Sequence, residues 1–295
     1  MTDLRHLRVL EPAPGVLAFY DGRVAGHRFA EGDNWVDDGA LSLGIASYAI
    51  VSGDQALVYD THLSVAHGEA IRAALVARGM TAITVVLSHR HLDHVAGTAA
   101  FADCEVISNA RTADLLTQNR AGIEDGSFRG LPAIAPLFLP TRVFSGRMAM
   151  MVGSDRVELI EANIHSDDAT VLWLPDRRLL FAGDTVEDCV TYVGAPEEFA
   201  VHLADLARLA ALDPLRVLPA HGSPEVIAAG GYGPEIIGAM QRYIGWLMEL
   251  PDGDVALRQV IAADLAVGVL HYFAPYEAIH RQNVARVRAM RAGHG

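Results

Sequence analysis

The chain has 295 residues, of which 51% are hydrophobic and 20% charged, and its 36 acidic against 23 basic residues give a formal net charge of -13. That length carries one large α/β domain or two smaller ones, and the apolar content excludes a disordered segment. Every basic residue is arginine, which excludes Schiff-base lysine chemistry and a lysine phosphate loop, while the acidic balance speaks against nucleic acid.

The first residues, Met1 to Pro14, include Asp3 and Arg5 and hold no apolar segment, so no secretory signal is read there and the cytoplasm is expected. Cys104 and Cys189 are expected to be core thiols in a reducing compartment. No apolar run reaches the roughly 18 residues that a membrane span needs. Tyr48–Val51 and Ala56–Tyr59 flank Ser-Gly-Asp-Gln and predict a hairpin ending at Asp60. Ser64 then caps a helix to about Arg78, with Ile71, Leu75 and Val76 on one face and Gly79 as its stop. Ile83–Leu87 is a buried strand delivering the chain into Ser88-His89, and a strand at Glu105–Ser108 precedes a helix near Arg111–Gln118.

Asn119–Pro140 has weak periodicity and reads as a long surface loop. Strands follow at Met148–Val152, Val157–Ile160, Val171–Leu174 and Leu179–Ala182. A helix bearing Phe199, Leu203, Leu206, Leu209 and Leu212 leads to a strand at Arg216–Pro219, and from Pro234 onward the pattern is helical.

The chemistry is concentrated at strand ends. His89, His91, Asp93 and His94 stand within six residues directly after an apolar strand, and His165, Asp184 and His221 follow later strands. Imidazoles and carboxylates in this density fit transition-metal binding: zinc first, with iron or manganese compatible. Two ions sharing these ligands would leave coordination positions for water and substrate.

These segments, Ser88–Gly97, Asn163–Pro175, Leu179–Thr185 and Leu218–Gly222, resemble in order and spacing the metallo-β-lactamase superfamily. The resemblance implies an α/β four-layer αββα sandwich with a helical C-terminal extension. Residues 1–230 would form the catalytic domain and 231–295 the extension packed on it. It also implies two zinc ions, one held by His89, His91 and His165, the other by Asp93, His94 and His221, with Asp184 bridging both. The activity implied is hydrolysis of a small, partly apolar ester, thioester, lactone or amide by a metal-bridging hydroxide, with β-lactam hydrolysis as a side reaction. Asp184 in place of a cysteine ligand, and His94 beside Asp93, look more like the glyoxalase II, lactonase and ribonuclease Z branches. A phosphodiesterase or nuclease and an iron-dependent sulfur or oxygen oxidoreductase are the alternatives on the same fold.

Around this set, Asp60 is expected to orient a ligand histidine, and Asp168 to cap the His165 loop or bind substrate. Asp93 is a candidate for proton transfer. Tyr232, in Gly-Gly-Tyr-Gly, is a candidate to reach a developing oxyanion, with Tyr192 a weaker one. His62 reads as a loop residue, and His202, His271 and His280 as helix histidines without a metal role. Substrate choice is expected to reside in Asn119–Pro140 and in the helical region after Pro234, whose apolar stripe includes Ile236, Met240, Tyr243 and Leu247. The partner expected is a small-molecule substrate, with no nucleic acid and no membrane; oligomeric state is not read.

Overall fold

The computed structural model describes residues 4–293; the outermost residues of the two expected segments, 1–3 and 294–295, lie outside the described residues. Among the described residues twelve strands form two sheets. In chain order they are β1 (Arg8–Ala13), β2 (Val16–Asp21), β3 (Ile45–Ser52), β4 (Gln55–Tyr59), β5 (Ala82–Val86), β6 (Glu105–Asn109) and β7 (Arg142–Phe144), then β8 (Arg147–Val152), β9 (Asp155–Ala162), β10 (Ala169–Leu174), β11 (Leu179–Gly183) and β12 (Arg216–Pro219). The first seven make one sheet in sequential order, antiparallel through β4 and parallel from β4 to β7. The other five make the second, in the order β12-β11-β10-β9-β8.

The helices are α1 (Val65–Ala77), α2 (Leu92–Val95), α3 (Ala110–Asp125), α4 (Phe199–Ala210), α5 (Pro224–Ala228), α6 (Glu235–Glu249), α7 (Leu257–Val260), α8 (Ala262–Ala266) and α9 (Tyr276–Gly293). Strand alternation assigns the layers. In β2, Val16, Ala18 and Tyr20 turn toward the second sheet, whereas Leu17 and Phe19 join a cluster with Ile71 and Leu75 of α1 and Leu116 and Ile123 of α3. On the far side, Leu206 and Leu209 of α4 and Ile237, Met240 and Ile244 of α6 belong to the core that includes the second sheet. Helices thus cover the outer face of each sheet, giving the expected four-layer αββα sandwich with helical segments after its last strand.

Several expectations need correction. Ser64 does cap α1, accepting the His67 N–H, but Val76 is 57% exposed and lies off the buried face. Helix α3 runs on through Asp125, so the first residues of the expected Asn119–Pro140 loop are helical, and the stop is Gly126 in the left-handed region at φ 81°. The stripe of α6 is core: Ile236, Ile237, Met240, Tyr243, Ile244 and Leu247 are all buried. Strands β1 and β2 precede the expected hairpin, with Val16–Asp21 buried along its whole length.

Close approaches stitch the two sheets at one end. The Ala46 N–H donates to Ala220 O and the Ala220 N–H to Gly183 O, both at 2.8 Å, tying β3 to the segment after β12 and that segment to the end of β11. A Cβ on Gly97 would lie 2.0 Å from Thr61 O, so only glycine lets the turn after α2 pack against the segment after β4.

Candidate metal centre

All the sequence-predicted ligands converge at this stitched end. His89 and His91 lie in the loop leaving β5, Asp93 and His94 on the single turn α2, His165 between β9 and β10, and Asp184 and His221 immediately beyond β11 and β12. His89, His165, Asp184 and His221 each come within three residues of a strand end, and these ends bring them to the same space. Ligand atoms of His89, His91, His165 and Asp184 lie within 4.8 Å of one another, as do those of Asp93, His94 and His221.

In the first group, His91 Nδ1 is 2.9 Å from both His89 Nε2 and His165 Nε2. In the second, Asp93 Oδ2 is 3.6 Å from His94 Nε2 and 3.4 Å from His221 Nε2. Asp184 Oδ2 stands between the groups, 3.6 Å from His89 Nε2 and His165 Nε2, 3.2 Å from His94 Nε2 and 3.5 Å from His221 Nε2.

The outward nitrogens of the histidines fix which nitrogen faces inward. His221 Nδ1 donates to Gly44 O at 2.8 Å and His94 Nδ1 to Asp60 Oδ2 at 2.8 Å. His89 Nδ1 lies 2.9 Å from Ser88 Oγ, and His165 Nδ1 3.3 Å from Thr191 Oγ1. Asp60 Oδ1 also accepts the Ser88 N–H at 2.7 Å, so one carboxylate positions both the strand exit and a ligand ring.

Two buried atoms at the centre, His94 Nε2 and Asp184 Oδ1, have no hydrogen-bond partner. Such atoms, next to imidazole nitrogens brought to 2.9 Å of one another, are suited to sharing a cation. The donor set therefore fits a transition metal. The charges agree: burial works against the carboxylates of Asp93 and Asp184, yet His94 and His221 hold both below the ordinary range. Burial likewise opposes charge on His94 and His221, but facing Asp184 raises them well above the usual imidazole value. Burial, reinforced for His89 and His91 by the neighbouring imidazoles, pushes His89, His91 and His165 down.

Asp168 lies behind the loop. It accepts the Arg90 N–H at 2.8 Å, pairs with the Arg90 guanidinium and accepts the Thr112 hydroxyl at 3.0 Å, clamping the His89–His91 segment to the residues after His165. Tyr232 is not at the centre. It is 3% exposed, pairs with Val217 as an isolated bridge, donates to Asp188 Oδ2 at 2.8 Å and accepts the Ser223 N–H at 2.7 Å. The expectation that it reaches an oxyanion is corrected: its hydroxyl is committed to a buried network, and burial pushes its ionisation far above that of an ordinary phenol.

A cavity of about 310 Å³ opens over His91, Asp93, His165, Asp184 and His221. Its walls come from segments that sequence reasoning assigned loosely or missed: Trp35 and Leu43 before β3, Phe128 and Arg129 after α3, and Ile279, Gln282 and Arg286 of α9. Tyr192 also lines it, its ring 5.8 Å from that of His165. Glu187 is a cavity residue with no sequence signal. It is 2% exposed, lies 3.8 Å from His165 Nδ1 and accepts the Tyr276 hydroxyl at 3.0 Å, and burial with the nearby Asp184 charge pushes its carboxyl up to about 8.

His62 lies in the loop after β4, fully buried and stacked on His67. His202 is buried on α4, His280 bonds Tyr243 and Val255 O, and His271 bonds Asp188; none joins the ligands.

A four-layer sandwich with a metal-competent cluster at one end of its sheets defines a class of metal-dependent folds. The family model described as the metallo-beta-lactamase superfamily matches residues 42–221, and the chain belongs to that superfamily. Among solved structures, the DIM-1 metallo-beta-lactamase is 17% identical over 74% of this chain and 90% of its own, with a TM-score of 0.55. A metallo-beta-lactamase from Pontibacter korlensis is 16% identical over 79% of this chain and 99% of its own, with a TM-score of 0.57. VMB-1 is 18% identical over 74% and 90%, with a TM-score of 0.55. At these identities the likeness is one of fold. No curated protein matches the sequence.

Proposed function

We propose that the protein is a dinuclear zinc hydrolase of a small, partly apolar ester, thioester, lactone or amide. The observation that carries this reading is Asp184, whose single oxygen Oδ2 stands within 3.6 Å of Nε2 of His89 and His165 and within 3.5 Å of Nε2 of His94 and His221. An oxygen shared by two nitrogen clusters suits two cations held close together. His89, His91 and His165 would hold one, Asp93, His94 and His221 the other, and Asp184 both; iron or manganese would accept the same donors. When bound, such ions polarise a carbonyl and bring the pKa of water toward neutrality.

The chain's own groups supply the rest. Trp35, Leu43, Phe128 and Ile279 take the apolar part of the substrate and keep bulk water from the carbonyl. The Tyr276 hydroxyl donates to Oε2 of Glu187, and Oε1 stands 3.8 Å from His165 Nδ1, so this buried carboxyl backs the His165 ring from the cavity wall. Asp93, kept ionised against burial by His94 and His221, would act as a ligand to the second ion rather than as a proton acceptor, because the same charges that hold it unprotonated make it a weak base. No helix among the described residues is long and apolar enough to cross a membrane, and the partner proposed is a small molecule rather than nucleic acid or lipid.

Elemental analysis of protein from zinc-replete growth, combined with a panel of chromogenic ester, thioester, lactone, amide, β-lactam and phosphodiester substrates, tests the reading. About two transition-metal ions per chain with carbonyl turnover is the expected result. One ion or none, or turnover confined to the phosphodiester, would overturn it.

A further inference from the structure

We propose that Asn283 of α9 is a positioning residue for the metal centre: it clamps the backbone on either side of Tyr192, so that the Thr191 hydroxyl orients the His165 ring and ties it to Asp184. This inference rests on the dinuclear hydrolase reading and deepens it, assigning part of the site to a helix downstream of every candidate ligand.

Between β11 and Pro196 the chain forms no helix or strand, yet residues 184–191 and Val193 are buried. A buried stretch without a ladder must find its backbone partners elsewhere. The Asp188 N–H donates to His221 O at 3.2 Å. The Val193 N–H and Thr191 O are taken by one side chain: Asn283 accepts the first at Oδ1, 2.8 Å away, and donates Nδ2 to the second at 2.9 Å. Only this orientation of the carboxamide satisfies both groups. Its remaining Nδ2 hydrogen reaches the Tyr243 hydroxyl at 3.2 Å, so this fully buried asparagine has both amide hydrogens in use. Asparagine is a weak helix former and costly to bury, and the segment it holds is what calls for it on the inner face of α9.

The clamp sets where the Thr191 hydroxyl stands. Thr191 Oγ1 donates to Asp184 O at 2.5 Å, a closer acceptor than Tyr192 O at 3.3 Å, which leaves its lone pairs to accept from His165 Nδ1 at 3.3 Å. With Nδ1 donating, His165 Nε2 turns a lone pair toward His91 and Asp184. Glu187 Oε1, 3.8 Å from the same Nδ1, is too far to replace that hydroxyl. One hydroxyl thus joins the ring of one candidate ligand to the backbone of another, and Asn283 fixes the backbone that carries it. Tyr276, two helical turns earlier on the same buried face, donates to Glu187 behind the same ring at 3.0 Å. Helix α9 therefore faces two ways: Ile279, Gln282 and Arg286 line the cavity, whereas Tyr276 and Asn283 reach the residues behind His165.

The test uses the zinc-loaded full chain, with stepwise chelator competition read by elemental analysis for each ion. Thr191→Val removes the hydroxyl at nearly constant volume, and Asn283→Ala removes the clamp. Each should weaken the ion held by His89, His91 and His165 about tenfold and the other ion less, while Thr191→Ser restores wild-type affinity. Because Asn283 acts through Thr191, the double variant should be no weaker than Thr191→Val alone. The His165 imidazole N–H signal in proton NMR gives a second readout: protected from exchange in the wild type and in Thr191→Ser, lost in Thr191→Val and Asn283→Ala. Should Asn283→Ala not fold, Asn283→Asp, which keeps Oδ1 for the Val193 N–H and drops the donor to Thr191 O, carries the same expectations. Equal weakening of both ions, additive effects in the double variant, or unchanged affinity without the Asn283 amide overturns the proposal. If the variants shift the first ion as expected but no carbonyl substrate is turned over, the hydrolase reading falls and the Asn283 assignment stands. If carbonyl turnover is found and the first ion is indifferent to both residues, the assignment falls and the hydrolase reading stands.

Discussion

Asp60 Oδ2 accepts the Nδ1–H of His94 at 2.8 Å while its Oδ1 accepts the Ser88 N–H, so one buried carboxylate at φ 68° fixes a ligand ring and the exit of β5 together. Removing such a partner typically costs metal affinity about 10- to 100-fold. Asp60→Ala should weaken the ion held by Asp93, His94 and His221 by that amount and leave the other ion nearly untouched. Stepwise chelator competition, read by elemental analysis, resolves the two.

Asp184 gives a contrasting expectation, because its Oδ2 faces both clusters. Asp184→Asn should release both ions at lower chelator concentrations, the Asp93, His94 and His221 ion first. Retention of both ions with normal turnover would remove Asp184 from its assigned place.

The two clusters should also differ in how protons compete with metal. Burial holds His89, His91 and His165 below the ordinary imidazole value, so they are already neutral near pH 7. In the metal-free protein His94 and His221 are raised despite burial, chiefly by Asp184, and must lose protons before binding. Affinity of the second cluster should therefore climb as pH rises above the usual imidazole pKa of about 6.5, while that of the first stays nearly level. The linked stability has the opposite sign: a raised histidine stabilises the metal-free fold below its unfolded pKa, and this contribution is lost as pH rises through the folded value. Calorimetry in buffers of different ionisation enthalpy counts the protons released, and metal-free melting curves at pH 6 and above follow the second effect.

Tyr232→Phe separates a structural from a chemical role. The change removes a donor from Asp188, a fully buried carboxylate that also accepts the His271 N–H at 2.8 Å. Leaving that group partly unsatisfied should cost about 1 to 3 kcal/mol in denaturant unfolding, with kcat unchanged. A large fall in kcat at unchanged stability would return Tyr232 to the chemistry.

The ligand segments were legible because their information is local: His89, His91, Asp93 and His94 follow an apolar strand within a few residues, and a strand end is where a polar side chain must turn toward a cleft. Helix α1 was legible through the Ser64 cap, yet Val76 was assigned to the wrong face because apolar character alone does not reveal where packing stops. Tyr232 misled for a related reason: its glycine neighbours read as flexible, while pairing with Val217 locks it inward. The cavity walls were legible only as stretches of chain: Phe128 and Arg129 do fall within Asn119–Pro140, and Ile279, Gln282 and Arg286 within the helical region after Pro234, but the individual residues gave no signal. The continuous apolar stripe of α6 drew attention and proved to be core, whereas Ile279, Gln282 and Arg286 sit on the more polar α9, and only their placement against His165 and Tyr192 gives them meaning. Glu187 had no pattern to betray it; its importance comes from burial next to Asp184.

Because α9 supplies a wall of the cavity although every candidate ligand lies upstream of it, the candidate ligand set and the shape of the mouth above it are written in separate stretches of the chain. Ile279, Gln282 and Arg286 can therefore change without touching a candidate ligand, so the mouth can be remodelled while the cluster beneath it stays as it is.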